Sequence, residues 1–460
     1  STMAFMKTVL DEVCDMFPSE IIHIGGDEVP KIRWAKCPKC QAKKHRLGLA
    51  DEAELQTSFI NEMSAFVAKR GKRIMGWDEI LEGGLPEGAV VQSWRGMEGA
   101  IEATHLGTDA VVSPTSHCYL DYPLRSTDLK EVYSFVPVPE EAKGHKGQII
   151  GGECNMWTER APQEAVMGKV LPRATGLAEV LWSGPSVTKA ADAFEGFQDR
   201  LDGLGLRWAL MDIQPGLEGV PVEIEVHPGR SGEIQVVAKA ALRNVSGTVR
   251  FESGHGDVGK LVNLGEVLEV TGVGEVMVDV FVNGRASGVT EVFPVAGHAA
   301  AHQPVDLTYI PSKYYHAGGN QALADGRRGS TDFRDGAWQA VQGEDMTCTI
   351  DLGVSREISA LETQFYIYQD AWIFLPQTVK WSVSLDGERF VDLADQAPWG
   401  ASLDPDGRQT VVPLRLEQLG ITARYVRMTL VNAGECPDWH DAATEPSWLF
   451  VDELVVETPS

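Results

Sequence analysis

The chain has 460 residues, of which 43% are hydrophobic and 23% charged, with a formal net charge of −26 at pH 7. That length holds about two to four domains, and the balance of apolar and charged residues is that of a folded globular protein. The acidic excess excludes a nucleic-acid surface, which needs clustered Lys and Arg, and no apolar run approaches the ~18–20 residues of a membrane span.

A helical pattern starts at once, with Phe5, Val9, Val13 and Phe17 spaced four apart. The first residues show no signal-peptide pattern, which says little here, because a start inside a helix predicts that the chain begins within a domain. Ile21-Ile22-His23-Ile24 then reads as a short buried strand, and Gly25-Gly26 lets the backbone turn tightly at its end. Asp27 and Glu28 follow at the C-terminal tip of a parallel strand, where barrel enzymes hold their chemistry. A bare Asp-Glu pair is ordinarily just solvated. The hexapeptide His23-Ile-Gly-Gly-Asp-Glu28 in this position is what makes it a candidate site.

The seven cysteines, at 14, 37, 40, 118, 154, 348 and 436, are odd in number and scattered, which is not a disulfide framework. Cys37-Pro-Lys-Cys40 lacks the second pair or histidines that a zinc site needs, so it reads as a local disulfide or as two ordinary thiols. A helix is predicted over 52–70, with Leu55, Phe59, Met63 and Val67 on one face. Strands follow at 73–76, 89–94, 109–113 and 148–153, with helices near 97–105, 162–182 and 186–204. The strands end in Trp77-Asp78-Glu79, Trp94, Tyr119-Leu120-Asp121 and Asn155-Met156-Trp157-Thr158-Glu159. Repeated βα units of this kind predict an α/β fold, the second half of a (β/α)8 TIM barrel over residues 1–213, with about three strands missing at the front.

Residues 216–300 change character: short β-rich runs at 222–226, 233–240, 248–251 and 275–282 and no Trp or Tyr, as in a small β-sandwich. Asn244-Val245-Ser246 is a formal glycosylation sequon of a kind common by chance. Residues 305–460 carry tryptophans at 338, 372, 381, 399, 439 and 448 and read as a second, larger β-sandwich or jelly roll. Trp338, Tyr368 and Trp372 are open to two readings, sugar platform or core, and core is expected for most of them.

Acids interleaved with aromatics at successive strand ends suit a sugar, because aromatic faces cover its C–H faces while carboxylates accept from its hydroxyls. The array from His23 to Glu159 resembles the β-N-acetylhexosaminidases of glycoside hydrolase family 20, in the family's motif order and over residues 1–213. Residues 216–310 resemble the small C-terminal domain of bacterial members. Residues from 320 onward resemble a discoidin-type, carbohydrate-binding domain.

The resemblance implies that Glu28 is general acid and then base, and that it is protonated near neutral pH. It implies that Asp27 orients the substrate's 2-acetamido group and that Tyr119 donates to the acetamido oxygen, which is itself the nucleophile of a retaining, oxazolinium-forming reaction. Trp77, Trp94 and Trp157 would wall the sugar pocket, and Asp121 and Glu159 would bind sugar hydroxyls or the leaving-group side. His23 is expected to pack or orient rather than to act as an acid or base, and Arg173 and Glu179 to be structural. No cofactor is expected for catalysis. Asp325 and Glu453 resemble the structural Ca2+ site of discoidin-like domains.

The implied substrates are GlcNAc- or GalNAc-terminated glycans or chitooligosaccharides, and the implied setting is a secreted or periplasmic bacterial enzyme. The family's substrate-clamping Arg belongs to the first barrel strands, so an upstream segment, a cleaved partner chain or another subunit is expected to complete the barrel, unless the sequence is itself incomplete. Two other readings stay open: a lacto-N-biosidase-type member releasing a disaccharide, and a non-catalytic glycan-binding protein.

Overall fold

The computed structural model describes residues 2–230, 232–254, 256, 258–396, 409–440 and 442–459. Trp399 lies outside the described residues. The chain divides into two compact units that meet between Val220 and Pro221.

The first unit alternates strands and helices in the order α1 (Thr2–Met16), β1 (Ile21–His23), α2 (Ile32–Lys36), α3 (Pro38–Leu47), α4 (Glu52–Ala68), β2 (Arg73–Trp77), β3 (Val90–Ser93), α5 (Glu98–His105), β4 (Ala110–Val112), α6 (Thr115–Cys118), α7 (Leu129–Ser134), β5 (Ile149–Gly152), α8 (Gln163–Val170), α9 (Arg173–Ser183), α10 (Pro185–Thr188) and α11 (Ala193–Leu210). The five strands form one parallel sheet in sequence order, β1-β2-β3-β4-β5, so each connection returns the chain to the same end before the next strand is laid down. All five expected strands are present, and their C-terminal ends share one edge of the unit.

β-branched strand residues (Ile22, Ile74, Val91, Val112) pack against Ile60, Met63 and Val67 of α4, Ala100 and Ala103 of α5, and Leu177 and Val180 of α9. Asp51 caps α4, its side chain accepting from Glu54 N at 2.9 Å. The helix expected over 162–182 is two, α8 and α9, because Pro172 has no N–H with which to continue the first. The helix expected over 186–204 is likewise α10 and α11. The pair α2–α3 was not expected. Its sequence has little apolar periodicity, and its limits are set by Pro38 at the start of α3 and Gly48 in the left-handed region (φ 71°) at its end.

The second unit is antiparallel β throughout. Strands β6 (Val222–Pro228), β7 (Ile234–Ala240), β8 (Val245–Ser253), β9 (Val262–Asn263), β10 (Val267–Val270), β11 (Gly272–Val282) and β12 (Arg285–Gly297) make a three-stranded sheet, β10-β7-β6, and a four-stranded one, β12-β11-β8-β9. Val222, Ile234, Val236 and Leu268 from one sheet share a core with Val249, Val276, Val278 and Val295 from the other.

The rest of the unit comprises β13 (Val305–Leu307), β14 (Gln339–Gln342), β15 (Met346–Ile358), β16 (Ala360–Ile367), β17 (Thr378–Ser384), β18 (Val391–Gln396), β19 (Thr410–Leu416), β20 (Ile421–Val431), β21 (Trp448–Val451) and β22 (Val455–Glu457). It also forms two facing sheets, β13-β15-β20-β17-β18 and β14-β21-β16-β19, with β22 paired to β16. Trp381 lies in their main core, while Trp338 joins Phe333, Tyr366, Ile373 and Phe450 in a smaller aromatic one. Trp338 is therefore core; Tyr368 and Trp372 are half-buried.

Candidate active site at the strand ends of the first unit

At the end of β1 the chain turns through Gly25 (φ 74°) and Gly26 (φ 102°), conformations that favour glycine. A Cβ on Gly26 would meet Ile80 Cγ2 at 2.8 Å, and one on Gly76 would meet the Gly25 carbonyl at 2.8 Å. The missing side chains let the tips of β1 and β2 lie side by side, where Trp77 N donates to Gly25 O at 3.1 Å. Gln56 Nε2 of α4 donates to Gly26 O at 2.7 Å and fixes the turn from the helix side. Asp27 and Glu28 leave this turn as exposed carboxylates. Glu28 has φ 45°, the left-handed region. For a residue with a Cβ this costs on the order of 1–2 kcal/mol and is typical of functional positions.

The aromatic residues expected at the strand ends do come together. Trp77 lies 6.2 Å from Trp157 between ring centroids, Trp157 lies 6.3 Å from Tyr119, and Tyr119 stacks on Trp94 at 6.2 Å with an interplanar angle of 27°. His23 meets Trp77 edge-on at 4.9 Å, and its Nδ1 accepts Gly25 N at 3.1 Å, so its ring packs and orients the turn. Tyr119 is buried at the end of α6. Its surrounding backbone is tied to the segment after β5 by Leu120 N to Asn155 O (2.9 Å) and Asn155 N to Cys118 O (2.8 Å). Burial pushes the Tyr119 hydroxyl up to about 12, which keeps it a hydrogen-bond donor across the neutral range. Trp157 is 42% exposed, an uncovered aromatic face of the kind a pyranose packs against.

The acids of the array divide into two kinds. Asp78 and Glu79 look from sequence like further site carboxylates, yet both are buried and spent on their neighbours. Glu79 Oε2 accepts the Trp94 indole N–H at 3.0 Å, and Asp78 accepts Trp94 N at 3.1 Å and Arg95 Nε at 2.6 Å. They set the position of Trp94, and burial raises the pKa of Glu79. Glu159 is exposed on a short 3-10 turn after β5. Asp121 is buried, and its Oδ1 has no hydrogen-bond partner among the described residues.

The loop that carries Asp121 is gripped by Arg173 of α9. Its guanidinium, 1% exposed, donates to Thr127 O (2.6 Å), Tyr122 O (3.3 Å), Lys169 O (2.8 Å) and, closely, to Leu120 O. Burial pulls the Arg173 pKa down to about 10. Gln92 of β3 donates to Ser113 Oγ (3.0 Å) and Glu153 Oε1 (3.3 Å). Neither Gln92 nor Glu153 carries a local sequence signal for that contact. Glu179 accepts from Tyr133 and Arg200, away from this array.

In the second unit Asp325 and Glu453 are brought together. Asp325 N donates to Glu453 Oε2 at 3.1 Å, Gly326 N to Oε1 at 2.9 Å, and His298 Nε2 to Oε1 at 2.8 Å. Burial raises the pKa of both carboxyls; Asp325 adds to the rise at Glu453, while Arg327, 3.1 Å from Asp325, works against the rise there. A cation would relieve the repulsion felt by Glu453. Among the described residues no group of three or more His, Cys, Asp or Glu side chains is arranged to hold one, so backbone carbonyls would have to supply the remaining ligands.

Comparison with known proteins places this geometry. Residues 1–185 match the glycosyl hydrolase family 20 catalytic domain, and residues 308–450 match the F5/8 type C domain. The chain is 38% identical over 234 residues to a beta-hexosaminidase of Porphyromonas gingivalis, covering 47% of this chain and 30% of that protein. It is 31% identical over 211 residues to a beta-hexosaminidase of Akkermansia muciniphila, covering 43% and 42%. Among solved structures it is similar to Flavobacterium johnsoniae chitobiase, with 33% identity, a TM-score of 0.41 and coverage of 46% of this chain and 33% of that one. The chain thus spans well under half the length of these curated relatives. Residues 1–185 thus carry the sequence pattern of the glycosyl hydrolase family 20 catalytic domain, and residues 308–450 that of the F5/8 type C domain.

Proposed function

We propose that the chain supplies the acid-bearing half of a β-N-acetylhexosaminidase active site, which removes terminal β-linked GlcNAc or GalNAc from glycans or chitooligosaccharides. The observation that carries the reading is the convergence of Asp27-Glu28 and the Trp77–Trp157–Tyr119–Trp94 array on one end of a parallel sheet. Glu28 protonates the glycosidic oxygen as the bond breaks, then takes a proton from the attacking water. Asp27 accepts from the acetamido N–H and Tyr119 donates to the acetamido oxygen, holding that oxygen against the anomeric carbon. The substrate's own amide is then the nucleophile, and configuration is retained through an oxazolinium ion. The three tryptophans enclose the N-acetyl group and the sugar face, and Asp121 Oδ1 and Glu159 accept from hydroxyls.

β1 and β5 are the outer strands of the sheet, and an open groove of about 930 Å3 runs beside β1, lined by Met6, Leu10, Ile22, Ile24, Phe59 and Met63 among others. These features support a (β/α)8 barrel whose remaining strands come from an upstream segment or a partner chain. We assign Asp325 and Glu453 to a structural Ca2+ site, checked by a fall in thermal stability on chelation, and the setting to a secreted or periplasmic compartment. The decisive experiment is release of p-nitrophenol from its β-N-acetylglucosaminide by this chain alone and with the remaining barrel segment co-expressed. Turnover in either case, blocked by a thiazoline mimic of the oxazolinium ion, upholds the reading. A folded, assembled but silent protein overturns it.

A further inference from the structure

Cys37 and Cys40 have no place in that chemistry; they sit at the start of α3, one short helix after Asp27-Glu28. Cys37 is the N-cap of α3 and Cys40 lies in its first turn, with Pro38 between them and Gln41 N donating to Cys37 O at 3.0 Å. Positions three apart on one helical turn have Cα atoms on the order of 5 Å apart, inside the range a disulfide spans. Both thiols are free and half-buried. Of the other five thiols, Cys14, Cys118, Cys348 and Cys436 are buried and Cys154 is half-buried. Cys40 also lines the open groove beside β1, together with Gly26 and Val29.

We infer that Cys37 and Cys40 form a reversible dithiol–disulfide pair, a redox modification site at the start of α3. The two sulfurs are unequal. The Cys40 N–H and thiol, directed at the Cys37 sulfur, hold the Cys37 thiol below its ordinary pKa, while the same contact pushes Cys40 up. Cys37 is therefore the attacking sulfur. Its thiolate attacks one sulfur of a low-molecular-weight disulfide, breaking that S–S bond. The first thiolate leaves and takes up the proton Cys37 released. Cys40, deprotonating as it reacts, then attacks Cys37 Sγ, closing the Cys37–Cys40 bond and expelling the second thiolate, which carries away the Cys40 proton. The protein dithiol is oxidised and one external disulfide is reduced to two thiols. Closure ties the first turn of α3 covalently to its cap.

The test uses the full chain, equilibrated in glutathione and glutathione disulfide mixtures, alkylated and mapped by mass after trypsin. Cleavage follows Lys36, Lys39 and Lys43, so a closed bond appears as two linked peptides. The expected result is concerted loss of alkylation at Cys37 and Cys40 as the mixture becomes oxidising, reversed by dithiothreitol. Two thiols that stay alkylatable in excess glutathione disulfide, or a glutathione adduct that accumulates unresolved in the native sequence, overturn the proposal. Cys40→Ser should trap the glutathione adduct on Cys37, whereas Cys37→Ser should leave Cys40 several-fold slower to react. Equal adducts on the two variants overturn the assigned order of attack.

Discussion

The two units use the same residue types to opposite ends. In the second unit most large aromatics are filling: Trp338, Trp381, Tyr366, Phe365, Phe374 and Phe450 are among its most completely buried side chains, while Trp439 and Tyr314 stand exposed. In the first unit Trp77 and Trp94 are half-buried, Trp157 is exposed, and all three stand at or beyond the C-terminal ends of strands. The charged residues show the same division. Arg328 of the second unit is buried against Asp452 (2.8 Å) and Glu362 (2.9 Å), whereas Asp27 and Glu28 of the first lie open. A tryptophan or carboxylate count cannot separate core from site. Position relative to a strand's C-terminal end can, because a parallel sheet with short strands gathers those ends on one surface.

The comparison can be broken most forcefully at Glu28. In the assembled enzyme Glu28→Gln should slow hydrolysis of substrates with ordinary leaving groups by about 10²–10⁴, and of activated aryl glycosides far less, with an unchanged unfolding curve. Equal rates on both substrates would remove Glu28 from the acid role. Next in size is Trp381→Ala, which should cost about 3–5 kcal/mol in denaturant unfolding of the second unit. Trp157→Ala, removing an exposed ring, should stay within about 0.5 kcal/mol while weakening sugar binding. If the two destabilise alike, the division of aromatics between core and site fails.

A smaller effect distinguishes the buried polar groups of the second unit. His298 is fully buried, its Nδ1 accepting Ala300 N and Val456 N at 3.2 Å, and burial with nearby Arg328 lowers its pKa to about 3. The unfolded chain protonates near 6.5 and the folded one does not, so the unfolded state binds more protons between these values. The contribution of His298 to the stability of this unit should therefore fall as pH drops from about 6.5 toward 3, by up to about 1.4 kcal/mol per pH unit, against the opposite trend of the raised carboxyls Asp325 and Glu453. His298→Gln should flatten that slope in urea melts compared at pH 7 and pH 5; an unaltered slope would assign the acid sensitivity to other groups. Asp51→Ala should cost about 1 kcal/mol from loss of the α4 cap, read by thermal unfolding.

What the sequence showed and what it hid follow from the same physics. The strands of the first unit were legible because runs such as Ile21-Ile22 and Val90-Val91 are β-branched and end in Gly or aromatic residues. The break at Pro172 and the α2–α3 pair were not, since the first needs a decision about one N–H and the second is a charged segment with no apolar stripe. Within the site, residue identities were readable but burial was not. The motif marks Glu28, but no local pattern shows that Glu79 is buried with the Trp94 indole on its carboxylate while Glu28 lies exposed. Arg173 was expected to be structural. Its grip on the loop after Tyr119 depends on side chains and carbonyls some fifty positions apart in sequence, which no local pattern reveals.

Glu28 stands in a backbone conformation that glycine would adopt freely. Glu28→Gly should therefore leave the first unit as stable or more stable by about 1 kcal/mol while removing the carboxyl proposed to protonate the leaving oxygen. Selection for stability alone would drift away from glutamate at this position. A library screened for thermal tolerance without an activity readout would be expected to lose the carboxylate early, and retention of an acid there is a sensitive sign that turnover is under selection.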